Sequence, residues 1–171
     1  MHSNIDIDSL CKIQYGMYIV TSKLGDKLNG QIATTVMQVT NSPIQLSVCL
    51  SNKTLTHEMI LQSEAFGVSI LDQTTSMAFI GRFGFKCGRN TEKCLGINYE
   101  QNLTGCPLIT DNSIAIMEVQ VKKNLNLGSH TLFVGTLLSA KNIRHGTALT
   151  YEYYHTIIKG KSPENAPTHV V

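Results

Sequence analysis

Along residues 115–122 the side chains alternate, with Ala115, Met117, Val119 and Val121 on one side and Ile116, Glu118, Gln120 and Lys122 on the other. That period of two marks a strand with one buried face. Extended patterns also cover residues 13–21, 31–40, 44–50, 130–140 and 147–157. Asn41-Ser42-Pro43 supplies a turn between the second and third of these, and the polar stretch 142–146 divides the last two. Helical spacing is confined to residues 55–63 and a short piece near 75–80, which Gly81 can terminate. Many strands with two short helices inserted predict a mainly β chain closed into a barrel, with the helices on its flank. No repeat, low-complexity tract or internal linker interrupts it, so residues 1–171 read as one domain. Pro163 and Pro167 bar a regular element from residues 159–171, which are expected as an extended tail lying against something.

The densest chemistry lies in NGQIATTVMQVTNSPIQLSVCLSNKTLT, residues 29–56. A helix that starts after Ser51-Asn52-Lys53 aims free backbone N–H groups and the positive end of its dipole outward. Ser51, Thr54 and Thr56 add hydroxyls and Lys53 adds a full charge, the makings of a phosphate site. The small loop Ala33-Thr34-Thr35 lets backbone lie close to a flat ring whose edge two hydroxyls could bond. The window reads as the site of a phosphorylated, ring-bearing ligand. Thr54 reads equally well as an ordinary helix N-cap.

A second polar stretch, IGRFGFKCGRNTEK at residues 80–93, gathers Arg82, Lys86, Arg89 and Lys93 among three glycines. Such a loop can wrap a phosphate, arginine offering a bidentate fork, or can be a solvated basic loop. The formal net charge of +2 is too mild for a nucleic-acid surface. With 42% hydrophobic and 15% charged residues the chain is globular, and at this length it buries roughly 70% of its unfolded surface. The acidic N-terminus lacks a signal pattern and no run approaches a membrane span, so a cytoplasmic protein without a membrane partner is expected. Five cysteines without a C-x-x-C pair argue for free thiols, buried or half-buried, and against metal or disulfides. No G-x-G-x-x-G, P-loop, G-x-S-x-G or H-E-x-x-H motif is present.

The ordered segments ATTVMQVT, SNKTLTHE, FGFKCGRNTEK, GCPLI, HTLFVG, TYEYYH and KGKSPENAPT resemble the flavin reductase-like family. Within it the resemblance is strongest to flavoredoxins and to the flavin reductase domain of high-molecular-weight rubredoxins. It covers residues from about 10 to 168. It implies an FMN-binding split β-barrel, Greek-key-like, with short flanking helices. It also implies non-covalent FMN, NADH or NADPH as electron donor, and a homodimer with FMN near the interface. By this resemblance Asn29, Gly30, Gln31, Ala33, Thr34 and Thr35 meet the ring edge, while Ser51, Asn52, Lys53, Thr56 and Arg89 hold the ribityl phosphate. His57 and Phe85 are expected beside the same cofactor.

His130, at the head of HTLFVG, reads from chemistry alone as a packed structural histidine; the resemblance puts it near flavin and nicotinamide as the candidate catalytic residue. Two departures stand out. Cys87 occupies a place where the family usually has serine, a stronger hydrogen-bonding partner. The sequence also ends at Val171 without an iron-binding C-x-x-C module. Electrons from an NAD(P)H:flavin oxidoreductase of this kind are therefore expected to reach free flavin, oxygen or a separate protein. A flavoredoxin-type carrier that serves a rubredoxin is the alternative. The Tyr-rich segment 150–157 and the tail are the expected subunit contacts.

Overall fold

The structure, a computed structural model, describes residues 4–164 and 166–169. After a short 3-10 turn at Ile7–Lys12, the chain forms β1 (Tyr18–Leu24), β2 (Lys27–Ala33), β3 (Met37–Asn41) and β4 (Ile44–Ser51). Helix α1 (Leu55–Ser63), β5 (Ala65–Leu71) and α2 (Met77–Gly84) follow. The short strands β6 (Tyr99–Glu100) and β7 (Leu108–Ile109) lead into the long pair β8 (Ser113–Asn126) and β9 (His130–Asn142), then α3 (Tyr151–Thr156). Seven strands make one antiparallel sheet in the order β2-β1-β5-β8-β9-β4-β3.

Two register shifts bend the β8–β9 pair. Leu138 is the extra residue on β9 between the Glu118–Ser139 and Val119–Leu137 pairs, and Lys122 is the extra residue on β8. Bulges of this kind raise local twist and curl a sheet. At the second bend a Cβ on Gly135 would lie 2.4 Å from the carbonyl oxygen of Gln120, so the close approach needs glycine. The curl brings the segment after β2 against β4, where Thr35 Oγ1 donates to the Cys49 carbonyl at 2.9 Å.

Two cores lie on opposite faces of β1. Val20 joins Val48, Leu50, Ile60, Phe66, Val68, Val119 and Phe133 on one face. Ile19 joins Met17, Leu71, Ile80, Phe83, Ile109, Leu149 and Tyr154 on the other. Each such fully buried side chain contributes about 1.5–3 kcal/mol. Among the described residues no helix is long and apolar enough to cross a membrane.

Several expected elements shift. Residues 31–40 split into the end of β2 and most of β3, because the chain turns away from the sheet at 34–36 to reach β4. β1 begins at Tyr18 rather than at 13, and α2 runs through Gly81 to Gly84, starting behind the Ser76 cap. The expected strand at 147–157 is corrected. Only its first residues are extended, with Leu149 N–H donating to Leu71 at 2.8 Å. Thr150 then caps α3, its side chain accepting from Tyr153 N–H, and the tyrosine alternation becomes a helical face. Of the free thiols, Cys94 and Cys106 are buried and Cys49 is half-buried, whereas Cys11 and Cys87 are exposed.

Glu118, fully buried on β8, binds the 101–107 loop to the sheet. It accepts from Thr104 N–H and Oγ1 and from Ser139 Oγ at 2.9 Å each, and from Leu103 N–H at 3.3 Å. Burial pushes its carboxyl up, but these bonds outweigh it and hold the group below its ordinary 4.5. A depressed carboxylate stabilises the fold above the ordinary range and loses that contribution as pH falls through its folded value. Glu118→Gln should therefore lower stability at pH 7 by about 1.5–3 kcal/mol and weaken its loss on acidification. Urea midpoints of both proteins at neutral and acidic pH measure this.

Candidate functional site

The curl of the sheet leaves a cleft of ≈ 290 Å³ between β2, the start of α1, the end of α2 and the C-terminal tail. β4 delivers Ser51 to its rim, where the chain turns sharply. Ser51 Oγ accepts from Lys53 N–H at 3.4 Å, and the Ser51 carbonyl accepts from Thr54 N–H at 3.2 Å and from Thr54 Oγ1 at 3.0 Å. Thr54 caps α1, its side chain accepting from His57 N–H at 3.4 Å. That leaves the N–H groups of Leu55 and Thr56, ahead of any intrahelical acceptor, at the cleft end of the helix. Ser51, Lys53, Thr54 and Thr56 all line the cleft. Thr54 is thus the cap of α1 and also part of the cleft wall.

One buried bond ties the two walls. Asn29 Nδ2 donates to Thr56 Oγ1 at 2.9 Å, which turns the Thr56 hydroxyl proton away from Asn29. Asn29 Oδ1 and Gln31 Oε1 are buried without a partner among the described residues, and both side chains line the cleft. Ala33 and Thr34 continue that wall with small side chains, and Ile32, Ile80 and Phe83 make an apolar floor.

Lys93 completes the floor. It is only 4% exposed, and its Nζ donates to the Gly30 carbonyl at 3.0 Å and the Phe83 carbonyl at 3.1 Å. Burial pulls its ammonium down from 10.5 to about 8, while the nearby Cys87 and Cys94 thiols act the other way. Burial likewise pushes Cys94 up to about 11.

The tail closes the remaining side. Tyr151 OH donates to the Thr168 carbonyl at 3.1 Å and also bonds Ser162 Oγ, and Tyr154 OH donates to the Lys161 carbonyl at 3.1 Å. Thr34 and Thr168 hydroxyls lie 3.4 Å apart across the cleft.

The profile of the flavin reductase like domain matches residues 10–158. The chain belongs to this family. It is 44% identical over 165 residues to the ferric-chelate reductase (NAD(P)H) of Archaeoglobus fulgidus, covering 96% of this chain and 98% of that one. It is 38% identical over 167 residues to high molecular weight rubredoxin of Moorella thermoacetica, covering 98% of this chain and 73% of that one. Flavoredoxin from Methanosarcina acetivorans shares the fold, with a TM-score of 0.71 at 18% identity over 83% of this chain and 73% of that chain. The expected split barrel is thus the fold of this flavin reductase-like chain.

The cleft of this family member gathers Asn29, Gln31, Ala33, Thr34, Ser51, Lys53, Thr56 and Phe85 from the sequence expectation. Gly30 stands behind the wall, its carbonyl taken by Lys93. Thr35 faces β4 instead of the cleft, because its hydroxyl serves the Cys49 backbone. Asn52 is spent on the β8–β9 turn, donating to the Gly128 carbonyl at 2.7 Å and accepting from Thr131 Oγ1 at 2.8 Å. His57 Nε2 meets Thr131 Oγ1 at 2.9 Å behind the helix, and burial holds its ring below the ordinary 6.5. His130 opens β9 opposite Ser51, with Nδ1 2.8 Å from Ser129 Oγ, and does not line the cleft. Arg89 is likewise outside it, its fork on Glu58 of α1 with Nη1 to Oε2 at 3.0 Å. The tail, expected to lie against something, lies here against the chain's own cleft, whereas the floor lysine is not singled out by sequence. Lys93 is one cation among four in its loop, and nothing in the spacing marks the buried one.

A Cβ on Gly88 would sit 2.1 Å from Asn29 Oδ1. Gly88→Ala should push Asn29 off Thr56 and cost the cleft about tenfold in ligand affinity, the worth of one hydrogen bond. Fluorescence titration with a flavin measures the loss, and a melting temperature lowered by only about 2–6 °C, with the protein still folded at the titration temperature, separates it from unfolding.

Proposed function

We propose that this chain is an NAD(P)H-dependent flavin reductase that works with FMN held non-covalently in the cleft. The observation that carries the reading is the pairing of two unlike ends. At one end the Ser51, Lys53 and Thr56 side chains and the α1 N-terminus offer donors and positive charge, as a phosphate requires. At the other, the partnerless acceptors Asn29 Oδ1 and Gln31 Oε1 stand beside small side chains and an apolar floor. A flat ring with N–H groups on its edge, joined to a single phosphate, satisfies both.

When bound, FMN supplies the hydride- and electron-accepting chemistry, and the protein supplies position and electrostatics. Lys53 and Thr56 anchor the phosphate. Ala33 and Thr34 let backbone approach the ring edge, while Ile32 and Phe83 keep water from the floor. Phe85, 53% exposed at the rim, shields the mouth. Arg89 stays in this reading as a phosphate ligand only if its fork leaves Glu58. His130 is proposed as a nicotinamide contact made in a homodimer, which exposed Met37, Val39, Ile44 and Leu138 on β3, β4 and β9 favour and light scattering would detect. Likeness to a ferric-chelate reductase makes a ferric chelate the first acceptor to test. Likeness to high molecular weight rubredoxin favours a second reading, an FMN electron carrier for a rubredoxin-type protein.

Purified protein should be yellow and release FMN, not FAD, on acid treatment. Anaerobic NADH or NADPH should bleach it rapidly, and His130→Ala should slow that bleaching while leaving reduction by dithionite unchanged. A colourless protein that takes up no flavin defeats the reading. Slow bleaching by both nucleotides, reversed by oxidised rubredoxin, selects the carrier.

Lys53→Ala removes a charge-assisted contact worth about 1.5–3 kcal/mol. FMN affinity should fall roughly ten- to hundredfold, whereas riboflavin, which lacks the phosphate, should bind almost as before. Equal losses for the two ligands would make Lys53 structural.

A further inference from the structure

Among the described residues, Lys93 is a buried ammonium with no carboxylate to answer it. Its two hydrogen-bond acceptors, the carbonyls of Gly30 and Phe83, are neutral. The charged or titratable groups around it are Arg82, whose Nε donates to the Lys93 carbonyl at 2.7 Å, and the thiols of Cys87 and Cys94. Lys53, Lys86 and Lys161 share the cleft with it, and no Asp or Glu is among the described residues that line it. A buried charge without a counterion is costly, and proteins normally supply a partner or let the group neutralise. Among the described residues, Lys93 lines an open cleft through which an opposite charge can come.

Position gives the charge leverage. Gly30 follows Asn29 on β2, and Asn29 donates to Thr56 at the start of α1. Phe83 lies in the last turn of α2, where carbonyls carry the negative end of a helix dipole and welcome a cation. Lys93 therefore pins α2 to β2 one residue from Asn29, whose amide bridges the floor of the cleft to Thr56 at its anion end.

We propose that Lys93 is a positioning residue whose counterion is the cofactor's phosphate, so that anion binding and Lys93 protonation favour each other. This rests on the FMN reading above and adds the residue that makes binding depend on pH. A group already half-neutral near pH 8 is poised for such coupling. By reciprocity, an anion that prefers the protonated side chain draws a proton onto it.

The test uses wild-type protein freed of flavin, titrated calorimetrically with FMN and with riboflavin. For a tenfold preference for protonated Lys93, FMN affinity should fall roughly fivefold between pH 7 and pH 9. Binding at pH 8.5 should take up about half a proton, read from two buffers of different ionisation enthalpy. The FMN phosphate, with its second pKa near ~6, contributes no proton there. Riboflavin affinity should stay flat. Lys93→Gln should abolish both the proton uptake and the slope. In the flavin-free protein, NMR of 13C-labelled lysine should show one side chain titrating near 8, absent from Lys93→Gln, a readout that needs no ligand. FMN binding without uptake or slope overturns the proposal and leaves the flavin reading standing, as does a slope equal for riboflavin. No lysine titrating near 8 overturns it whether or not the variant folds. No FMN binding at pH 7 overturns the flavin reading itself, and this proposal with it.

Discussion

Asn29 and Thr56 belong to different layers of the molecule, a sheet edge and a helix N-terminus, and their 2.9 Å bond is shut away from water. In that setting the bond cannot be exchanged for one to solvent, so breaking it leaves two buried polar groups unpaired. It fixes the distance between β2 and α1, and with that distance the width of the cleft. The curl that brings the two together comes from elsewhere, from the bulges at Leu138 and Lys122. The bulges set the shape and this one bond holds the functional end of it closed.

Behind the cleft a second set of polar residues does the holding without facing the ligand. Asn52, Thr131 and His57 form a chain, Thr131 donating to Asn52 while its oxygen meets the His57 ring. The chain ties the turn before α1 to β9, so the helix N-terminus cannot drift. His57 works best uncharged there, as its burial dictates. Residues adjacent in sequence thus divide between two jobs, Lys53 and Thr56 toward the cleft and Asn52 and His57 away from it.

Much of this was legible from the chain. Helix α1 carries its own start signal in Ser51-Asn52-Lys53-Thr54, and residues 115–122 do lie in one strand, but the single buried face is corrected: Ile116 and Glu118 are as buried as Ala115 and Val119, because β8 lies between β5 and β9 and the 101–107 loop covers its other side. What was illegible depends on partners far away in sequence. Thr150 could cap a helix or sit in a strand; the space beside Tyr15 and the tail decides for the helix, with Tyr151 edge-on to Tyr15 at 6.0 Å. Arg89 and Lys93 look alike in a basic loop, but Glu58 captures the first and the fold buries the second. A local pattern cannot say which cation will find a carboxylate on another element.

The tail shows what a binding cleft asks of its cover. The described residues among 161–168 belong to no sheet or helix; bonds from Tyr151 and Tyr154, the Ser162–His155 contact and the facing hydroxyls of Thr34 and Thr168 hold them. Each such hydrogen bond is worth about 0.5–1.5 kcal/mol net, so releasing the strap costs a few kcal/mol, far less than unfolding the sheet. Lys161 and Ser162 line the cleft from this strap, whereas Lys93, Asn29 and Thr56 line it from the rigid frame. Contacts on the frame can define where a ligand sits, because they do not move when it enters. Contacts on the strap can define how long it stays. The family's chemistry needs both, since a flavin must be held firmly while its partners come and go.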